Sequence, residues 1–185
     1  MLEVNIQQTL LQYEEQLKKC RDLFAKKLHD YEPAWRILRL SSLTDQLYIK
    51  ILRIRNIEQI GKSLIEDSIE EEYIGIVNYG IIGLIQSNMP VTEKIDISNQ
   101  QALELYDRYA EATKDLMIKK NHDYGEAWRS MRLSSFTDLI LSKILRIKQI
   151  EDLEGKTVVS EGIPANYQDI INYALFSLIR LSETI

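Results

Sequence analysis

Hydrophobic residues recur every three or four positions between residues 37 and 54, the spacing of one buried face of an α-helix. The same spacing returns between residues 133 and 147, whereas the alternation typical of strands is confined to residues 157–159. These patterns predict three main helices in each half of the chain. Helix A is predicted over about 7–28 and 99–120, helix B over about 33–57 and 126–153, and helix C over about 70–87 and 164–182.

The chain carries the same sequence pattern twice. Residues 26–58 and 119–151 are identical at 21 of 33 positions, at a spacing of 93 residues. The similarity continues into helix C after a shift of one residue. Two copies are too few for a solenoid, which needs about three repeats to bury a continuous core. We therefore predict an all-α fold of two tandem helical repeats, 1–90 and 91–185, packed as a bundle with approximate two-fold symmetry.

Composition and charge indicate a globular protein and argue against several functional classes. The 185 residues are 45% hydrophobic and 28% charged, as in globular proteins. The net charge of -5 argues against a surface for duplex DNA, and the single cysteine excludes an internal disulfide or a cysteine zinc site. The pattern predicts neither a signal peptide nor a transmembrane segment, so we expect a cytoplasmic protein.

The cations of helix B are the same in both copies, although the core residues between them drift. On a helical wheel they fall within an arc of roughly 120°. Such a one-sign row suits phosphate oxygens, because ordinary solvated faces mix charge signs. The alternative is that these cations pair with acids on helices A and C or across the copies. The expected ligand-binding residues are Arg36, Arg39, Lys50 and Arg53, and in the second copy Arg129, Arg132, Ser135, Lys143 and Arg146.

The segment between helices A and B is repeated as "KKLHDYEPAW" and "KKNHDYGEAW". Its Tyr and Trp can stack a nucleobase or pack as a hydrophobic staple. The two histidines of the chain both lie here, each before an aspartate, which fits a helix cap, a general acid or base, or part of a metal site. We expect ligand binding by His29, Asp30, Tyr31, Trp35, Lys120, Tyr124 and Trp128, and catalytic roles for His122 and Asp123.

Helix C carries Asp169 in the second copy where the first has Gly75. An asparagine follows three residues later in both copies, Asn172 and Asn78. A carboxylate in an apolar helix is costly to bury unless it is paired or ligates a metal. The acids of the second helix A form either a solvated face or part of a Mg²⁺ site. We expect Asp169, Asp115 and Glu111 as metal ligands, Asp169 also as a catalytic residue, and Asn78 and Asn172 as ligand-binding residues.

The motifs K-x-H-D-Y-[GE]-x-A-W-R, S-S-x-T-D and K-I-L-R-I, followed by D-I-I-N-Y-A, resemble the nucleotide-modification-associated family. That helical family comes from phage and bacterial nucleotide-modification neighbourhoods, and the resemblance covers most of both copies. More distantly, the chain is similar to MazG-like all-α nucleoside triphosphate pyrophosphohydrolases, in which acids on several helices hold Mg²⁺. The paired Glu-x-x-Glu and Glu-x-x-Asp signature of those enzymes is not intact here.

These resemblances imply a nucleotide-binding protein that hydrolyses (deoxy)nucleoside triphosphates with Mg²⁺, in nucleotide modification or pool control. The alternative is a non-catalytic module that binds a nucleotide, another anion or a protein, since the first copy lacks the helix C aspartate. The expected partners are a nucleotide or other phosphate-bearing small molecule, and a second copy of the chain in a homodimer. Neither a membrane nor duplex DNA is expected as a partner.

Overall fold

A computed structural model describes residues 2–61, 68–155 and 162–183 of the chain. Within these residues it contains six α-helices and two short 3-10 turns, and no strand. The predicted all-α fold of two tandem repeats is confirmed, while the extended segment predicted at 157–159 lies outside the described residues. The helices are α1 (Leu2–Tyr31), α2 (Leu40–Ile60) and α3 (Ile69–Ser87), then α4 (Asn99–Tyr124), α5 (Leu133–Asp152) and α6 (Ile163–Glu183).

The boundary between the predicted helices A and B lies elsewhere in the structure. Helix α1 continues through Tyr31 and α4 through Tyr124, and each ends at a residue in the left-handed conformation, Glu32 (φ 54°) and Gly125 (φ 60°). A 3-10 turn follows in each repeat, at Ala34–Ile37 and Ala127–Ser130, before α2 and α5 begin. The predicted starts of helix B at 33 and 126 are therefore wrong.

Side chains from the third helix of each repeat stabilise the 3-10 turn that interrupts the helices. Gln86 on α3 donates its Nε2 hydrogens to the backbone carbonyls of Leu38 (2.8 Å), Arg36 (3.1 Å) and Trp35 (3.3 Å). At the equivalent position on α6, Arg180 donates to the carbonyl of Met131 (3.0 Å) and to that of Arg129. Because these carbonyls find partners outside a helix, the chain need not continue the helical hydrogen bonds.

The two repeats meet where α3 crosses α6, the helix pair in most extensive contact. Small residues make this close approach, because a Cβ atom on Gly80 would stand 2.7 Å from Cγ1 of Ile171. A Cβ atom on Gly83 would collide with the ring of Tyr167. The equivalent positions on α6 are Ala174 and Ser177, both buried.

Replacing Gly83 with alanine is expected to lower the free energy of unfolding by about 1–3 kcal/mol, since the ring of Tyr167 is buried and cannot move aside. An alanine at an unhindered helix position would instead stabilise the chain by about 1 kcal/mol. Urea denaturation measures the difference. Gly75→Ala on the same helix is the control, because its Cβ would meet only the flexible end of Lys50. A Gly83→Ala variant more stable than the parent would contradict the close packing.

Polar pairs repeat across the approximate two-fold axis between the repeats. Thr137 donates its hydroxyl hydrogen to Glu58 (2.8 Å) and lies 3.0 Å from the Tyr73 hydroxyl. The mirror arrangement joins Thr44 to Glu151 (2.8 Å), with the Tyr167 hydroxyl 3.2 Å away. Each group takes residues from both repeats, so the predicted two-fold arrangement is visible at the level of single hydrogen bonds.

Burial raises the pKa of Glu58 and of Glu151, although a threonine hydroxyl donates to each. Nearby charges act both ways: Arg55 and Lys148 lower these pKa values, and Asp138, Asp45 and Asp152 raise them. Between the ordinary value of 4.5 and the raised pKa, the folded chain holds more protons than the unfolded chain. The contribution of these carboxyls to stability is therefore greatest below pH 4.5 and declines as the pH rises through the raised pKa.

The Glu58→Gln, Glu151→Gln double variant keeps both threonine hydrogen bonds and loses both charges. We expect its melting temperature to equal or exceed that of the parent at pH 7, with the difference shrinking towards pH 4.5. Thermal unfolding between pH 4 and 8 measures this, with Glu15→Gln, at an exposed position on α1, as the control. A double variant with a lower melting temperature throughout would show that the charged carboxylates stabilise the interface.

None of the described helices is long and apolar enough to cross a lipid bilayer.

Candidate functional site

The structure contains one cavity at the same place in each repeat, bounded by the first helix, the 3-10 turn and the third helix. The first-repeat cavity has a volume of about 530 Å³ and the second-repeat cavity about 270 Å³. All eleven residues that line the second-repeat cavity have repeat equivalents lining the first. Six of these pairs are identical: Lys27 and Lys120, Tyr31 and Tyr124, Ala34 and Ala127, Trp35 and Trp128, Asn78 and Asn172, Tyr79 and Tyr173.

An asparagine at each cavity is held by a tyrosine of the other repeat. The buried Tyr13 hydroxyl donates to Oδ1 of Asn172 (2.8 Å), and Nδ2 of Asn172 donates to the carbonyl of Thr113 (3.3 Å). In the mirror arrangement, Tyr106 donates to Asn78 (2.8 Å) and Asn78 to the carbonyl of Cys20 (3.0 Å). Burial raises the pKa of both tyrosines, so their hydroxyls remain protonated donors.

These tyrosines were not among the residues expected in the site. The signal for them is in the sequence, since Tyr13 and Tyr106 occupy equivalent positions of helix A. What the sequence does not reveal is that each hydroxyl reaches across to the other repeat. Burial also raises the pKa of the neighbouring Cys20 thiol to about 12, so this thiol stays protonated and unreactive at neutral pH.

In the second repeat, the expected residue Asp169 lines the cavity between two lysines. Lys120 Nζ lies 2.5 Å from Oδ1 of Asp169, and Lys143 Nζ lies 2.9 Å from Oδ2. Only 9% of the Asp169 side chain is exposed, so the two ammonium groups provide the charge that the buried carboxylate requires. The structure thus brings three predicted site residues together in one ion cluster.

In the first repeat the acid stands one helical turn earlier on the third helix. Glu72 pairs with Lys50 (3.1 Å) and with Arg53, while Gly75 occupies the position of Asp169. A Cβ atom on Gly75 would stand 2.9 Å from Cε of Lys50, so this lysine lies directly over the glycine. For Lys50, Arg53 and Lys143, the structure therefore supports the alternative of pairing with acids on helix C.

The Trp128 ring contributes an edge rather than a face to the second-repeat cavity. The Trp128 ring stacks on Phe176 with centroids 4.3 Å apart, and the Arg129 guanidinium lies 4.3 Å from the same ring centroid. Two groups at such distances must cover opposite faces of the ring, which leaves no free face for a base. The indole Nε1 atoms of Trp35 and Trp128 are both buried, and neither has a hydrogen-bond partner among the described residues.

Arg36 and Arg129 were predicted to bind phosphate, but the structure uses them as internal clamps. The fully buried Arg36 guanidinium binds both carboxylate oxygens of Asp96 (2.7 and 3.0 Å), the carbonyl of Pro90 (2.9 Å) and Gln86. Arg129 binds carboxylates of Glu126 (2.8 Å) and Glu183 (2.9 Å), with further bonds to Thr9 and Gln12. Neither arginine lines the first-repeat or the second-repeat cavity.

The remaining cations of the predicted arc lie apart from the cavities. Arg39 and Arg132 are exposed residues just before α2 and α5, and neither pairs with an acid of the described segments. Ser135 is half-buried in the first turn of α5, and Arg146 lies 3.5 Å from Gln149. The 3-10 turns separate Arg36 and Arg129 from α2 and α5, so the cations do not form one continuous helical row.

The His-Asp pairs lie outside the cavities. His29 and Asp30 are in the last turn of α1, and His122 and Asp123 are in the last turn of α4. Each imidazole Nδ1 lies about 3 Å from the adjacent aspartate, and the two His side chains are 88% and 83% exposed. Neither His122 nor Asp123 lines the cavity that contains Asp169.

The expected metal ligands are also not assembled. Glu111 is exposed and pairs with Lys114 (3.0 Å), and Asp115 is exposed on the same helix. Among the residues that the structure describes, no group of three or more His, Cys, Asp or Glu side chains could hold a metal ion together. The set of Asp169, Asp115 and Glu111 thus does not fit a Mg²⁺ site.

A family model described as nucleotide modification associated domain 1 matches residues 27–87 and 120–181. The matched residues make up more than half of the chain and fall once in each repeat. The chain belongs to this family. Both matches begin at the cavity lysine, Lys27 or Lys120, and run through the 3-10 turn to the third helix. They contain every residue shared by the two cavities except Phe24 and Met117. Among curated proteins and solved structures, none matches the chain significantly.

Proposed function

We propose that this member of the family binds nucleotides, with one binding site in each of the two cavities. The observation that carries the proposal is that all eleven residues lining the second-repeat cavity have equivalents lining the first, and six of these pairs are identical. A packed core tolerates drift among hydrophobic residues, whereas these cavities share two tyrosines, a tryptophan, an asparagine and a lysine. The family description supports a nucleotide as the ligand.

The chemistry of the lining fits the parts of a nucleotide. Tyr124 is 74% exposed and Tyr31 is 69% exposed at the cavity mouths, so their rings are free to stack on a base. The indole N–H of Trp35 or Trp128, which has no partner in the described part of the chain, can donate to a base carbonyl or ring nitrogen. A buried donor without a partner costs about 1–3 kcal/mol, which a ligand acceptor would recover.

The proposal is confined to binding. The resemblance to MazG-like pyrophosphohydrolases stays a prediction, since the acids that such hydrolysis would use are not grouped in the described residues. Asp169 carries two lysine partners, which fits a structural or ligand-positioning carboxylate. Turnover of nucleoside triphosphates in the presence of Mg²⁺, followed by chromatography of the products, tests the prediction separately from binding.

Removing both mouth tyrosines tests the binding proposal. We expect the Tyr31→Ala, Tyr124→Ala double variant to bind nucleoside 5′-monophosphates more weakly by about 1–3 kcal/mol, or roughly 5- to 150-fold in Kd. Isothermal titration calorimetry measures the affinity, and Tyr→Phe at both positions should retain it because stacking needs only the ring.

The matched control is the His29→Ala, His122→Ala double variant. These side chains stand two residues from the tyrosines, are similarly exposed and line neither cavity, so nucleotide affinity should not change. Equal affinity in the tyrosine variant and the parent would remove the cavities from the binding site. A parent protein that binds no nucleoside or nucleotide would overturn the proposed function itself.

A further inference from the structure

The two cavities differ most in the ion-pair partner of their equivalent lysines, Lys27 in the first repeat and Lys120 in the second. In the second repeat, Asp169 lies 2.5 Å from Lys120. In the first repeat, Gly75 replaces that aspartate, and the nearest equivalent acid, Glu72, is engaged by Lys50 and Arg53. Lys27 therefore lines its cavity without an ion pair to any residue that the structure describes, although its equivalent has one.

The other acids of the first-repeat cavity do not neutralise Lys27. The Glu71 carboxylate accepts a hydrogen bond from the backbone N–H of Ser68 (2.9 Å) and completes a capping box at the start of α3. There the helix dipole favours a negative charge. Glu32 is exposed beyond the end of α1, where solvent screens its charge.

The first-repeat cavity also has more room beside this lysine. It is about 530 Å³ against about 270 Å³, and the side chains of Asp169 and Phe176 are replaced by Gly75 and Ile82. The second-repeat cavity lies just below the range of about 300–1,000 Å³ that is usual for small-molecule pockets, so it suits the smaller of two related ligands. A phosphate entering the second-repeat cavity would also have to displace Asp169 from Lys120.

On the basis of the proposed function, we propose that the two cavities differ in specificity, one for the phosphorylated and the other for the uncharged form of the ligand. The first-repeat cavity binds a phosphorylated nucleotide, with its phosphate on Lys27 in the space above Gly75. The second-repeat cavity binds the uncharged nucleoside, because the Lys120–Asp169 pair would not accept a phosphate. The chain would then hold two different ligands in two related sites.

The chain contains its own reporters for this test, because its two tryptophans each line one cavity. In Trp128→Phe the remaining Trp35 fluorescence reports the first-repeat cavity, and in Trp35→Phe the remaining Trp128 reports the second. Each variant is titrated with the four common 2′-deoxynucleosides and with their 5′-monophosphates. We expect the Trp35 signal to show about tenfold or greater preference for a monophosphate over its nucleoside, and the Trp128 signal to show none.

Three substitutions assign the preference to the lysine. Lys27→Met in the Trp128→Phe background should abolish the preference, whereas Lys26→Met in the same background, at an exposed position that lines neither cavity, should leave it unchanged. Gly75→Asp should also abolish it by giving Lys27 a carboxylate partner. If Gly75→Asp fails to fold, as circular dichroism would show, the exposed Lys27→Met variant still decides the question.

Equal preferences in the two cavities, or a monophosphate preference confined to the second, would overturn this division while leaving nucleotide binding intact. A preference that survives Lys27→Met would overturn the role of Lys27. If neither tryptophan responds to any nucleoside or monophosphate, the proposed function fails, and this inference fails with it.

Discussion

Replacing Arg36 with alanine is expected to lower the free energy of unfolding by about 3–5 kcal/mol, a large part of the stability of an ordinary domain. The Arg36 side chain is fully buried and joins Asp96, Gln86 and the Pro90 carbonyl to the 3-10 turn of the first repeat. Its loss would leave several of these groups without partners and open a cavity. The shift in the urea midpoint at unchanged slope measures the effect.

Arg39→Ala is the control for this variant. Arg39 is three residues away, exposed, and without an ion pair to another described residue, so its removal should change stability by no more than about 0.5 kcal/mol. Equal effects at Arg36 and Arg39 would show that the buried clamp contributes little.

The stability that Arg36 contributes should also depend on pH, and the pKa of Asp96 sets the direction of that dependence. The hydrogen bond from Arg36 lowers the pKa of Asp96 below its ordinary value of 3.8. A lowered carboxyl pKa gives stability that is present above the unfolded pKa and is lost as the pH falls through the folded one. The difference between the parent and Arg36→Ala should therefore shrink below about pH 3.8.

Replacing Tyr13 with phenylalanine is expected to cost about 1–3 kcal/mol of stability and also to weaken ligand binding. The hydroxyl is buried and donates to Oδ1 of Asn172, so its removal leaves a buried amide oxygen without that donor. Because Asn172 lines the second-repeat cavity, the same substitution should weaken binding reported by Trp128 and leave the Trp35 signal unchanged. Tyr106→Phe should produce the mirror result through Asn78.

Tyr48→Phe provides the comparison for these tyrosines. Tyr48 is half-buried on α2, and its hydroxyl has no hydrogen bond to another described residue. Its loss should change stability by about 0.5 kcal/mol or less. If Tyr13→Phe and Tyr48→Phe have equal effects on both stability and binding, the tyrosine bonds between repeats do not support the cavities.

The sequence was sufficient to predict the helices and the duplication, because both depend on spacing along the chain. It was also sufficient to find five of the eleven residues that line the second-repeat cavity: Lys120, Tyr124, Trp128 and Asn172 were expected because both copies keep them, and Asp169 because only the second copy carries this carboxylate. These residues come together because the end of α4, the following turn and α6 meet at one place. The family match falls on the same segments.

The cationic arc shows where the sequence was insufficient. A helical wheel assumes an unbroken helix, and the carbonyls that Gln86 and Arg180 satisfy allow a break that no local pattern announces. Whether a repeated arginine faces a ligand or an acid depends on distant residues such as Asp96 and Glu183, which do not correspond between the repeats. Repetition therefore identified important cations but could not distinguish an internal clamp from a ligand contact.

The measurement that tests the central claim most directly is the tryptophan fluorescence of the unmodified chain during titration with nucleosides and nucleotides. Trp35 and Trp128 are its two tryptophans, and each lines one of the two cavities. If the cavities bind nucleotides, the emission will change and saturate with at least one of these ligands. A folded chain whose emission responds to none of them would contradict the claim.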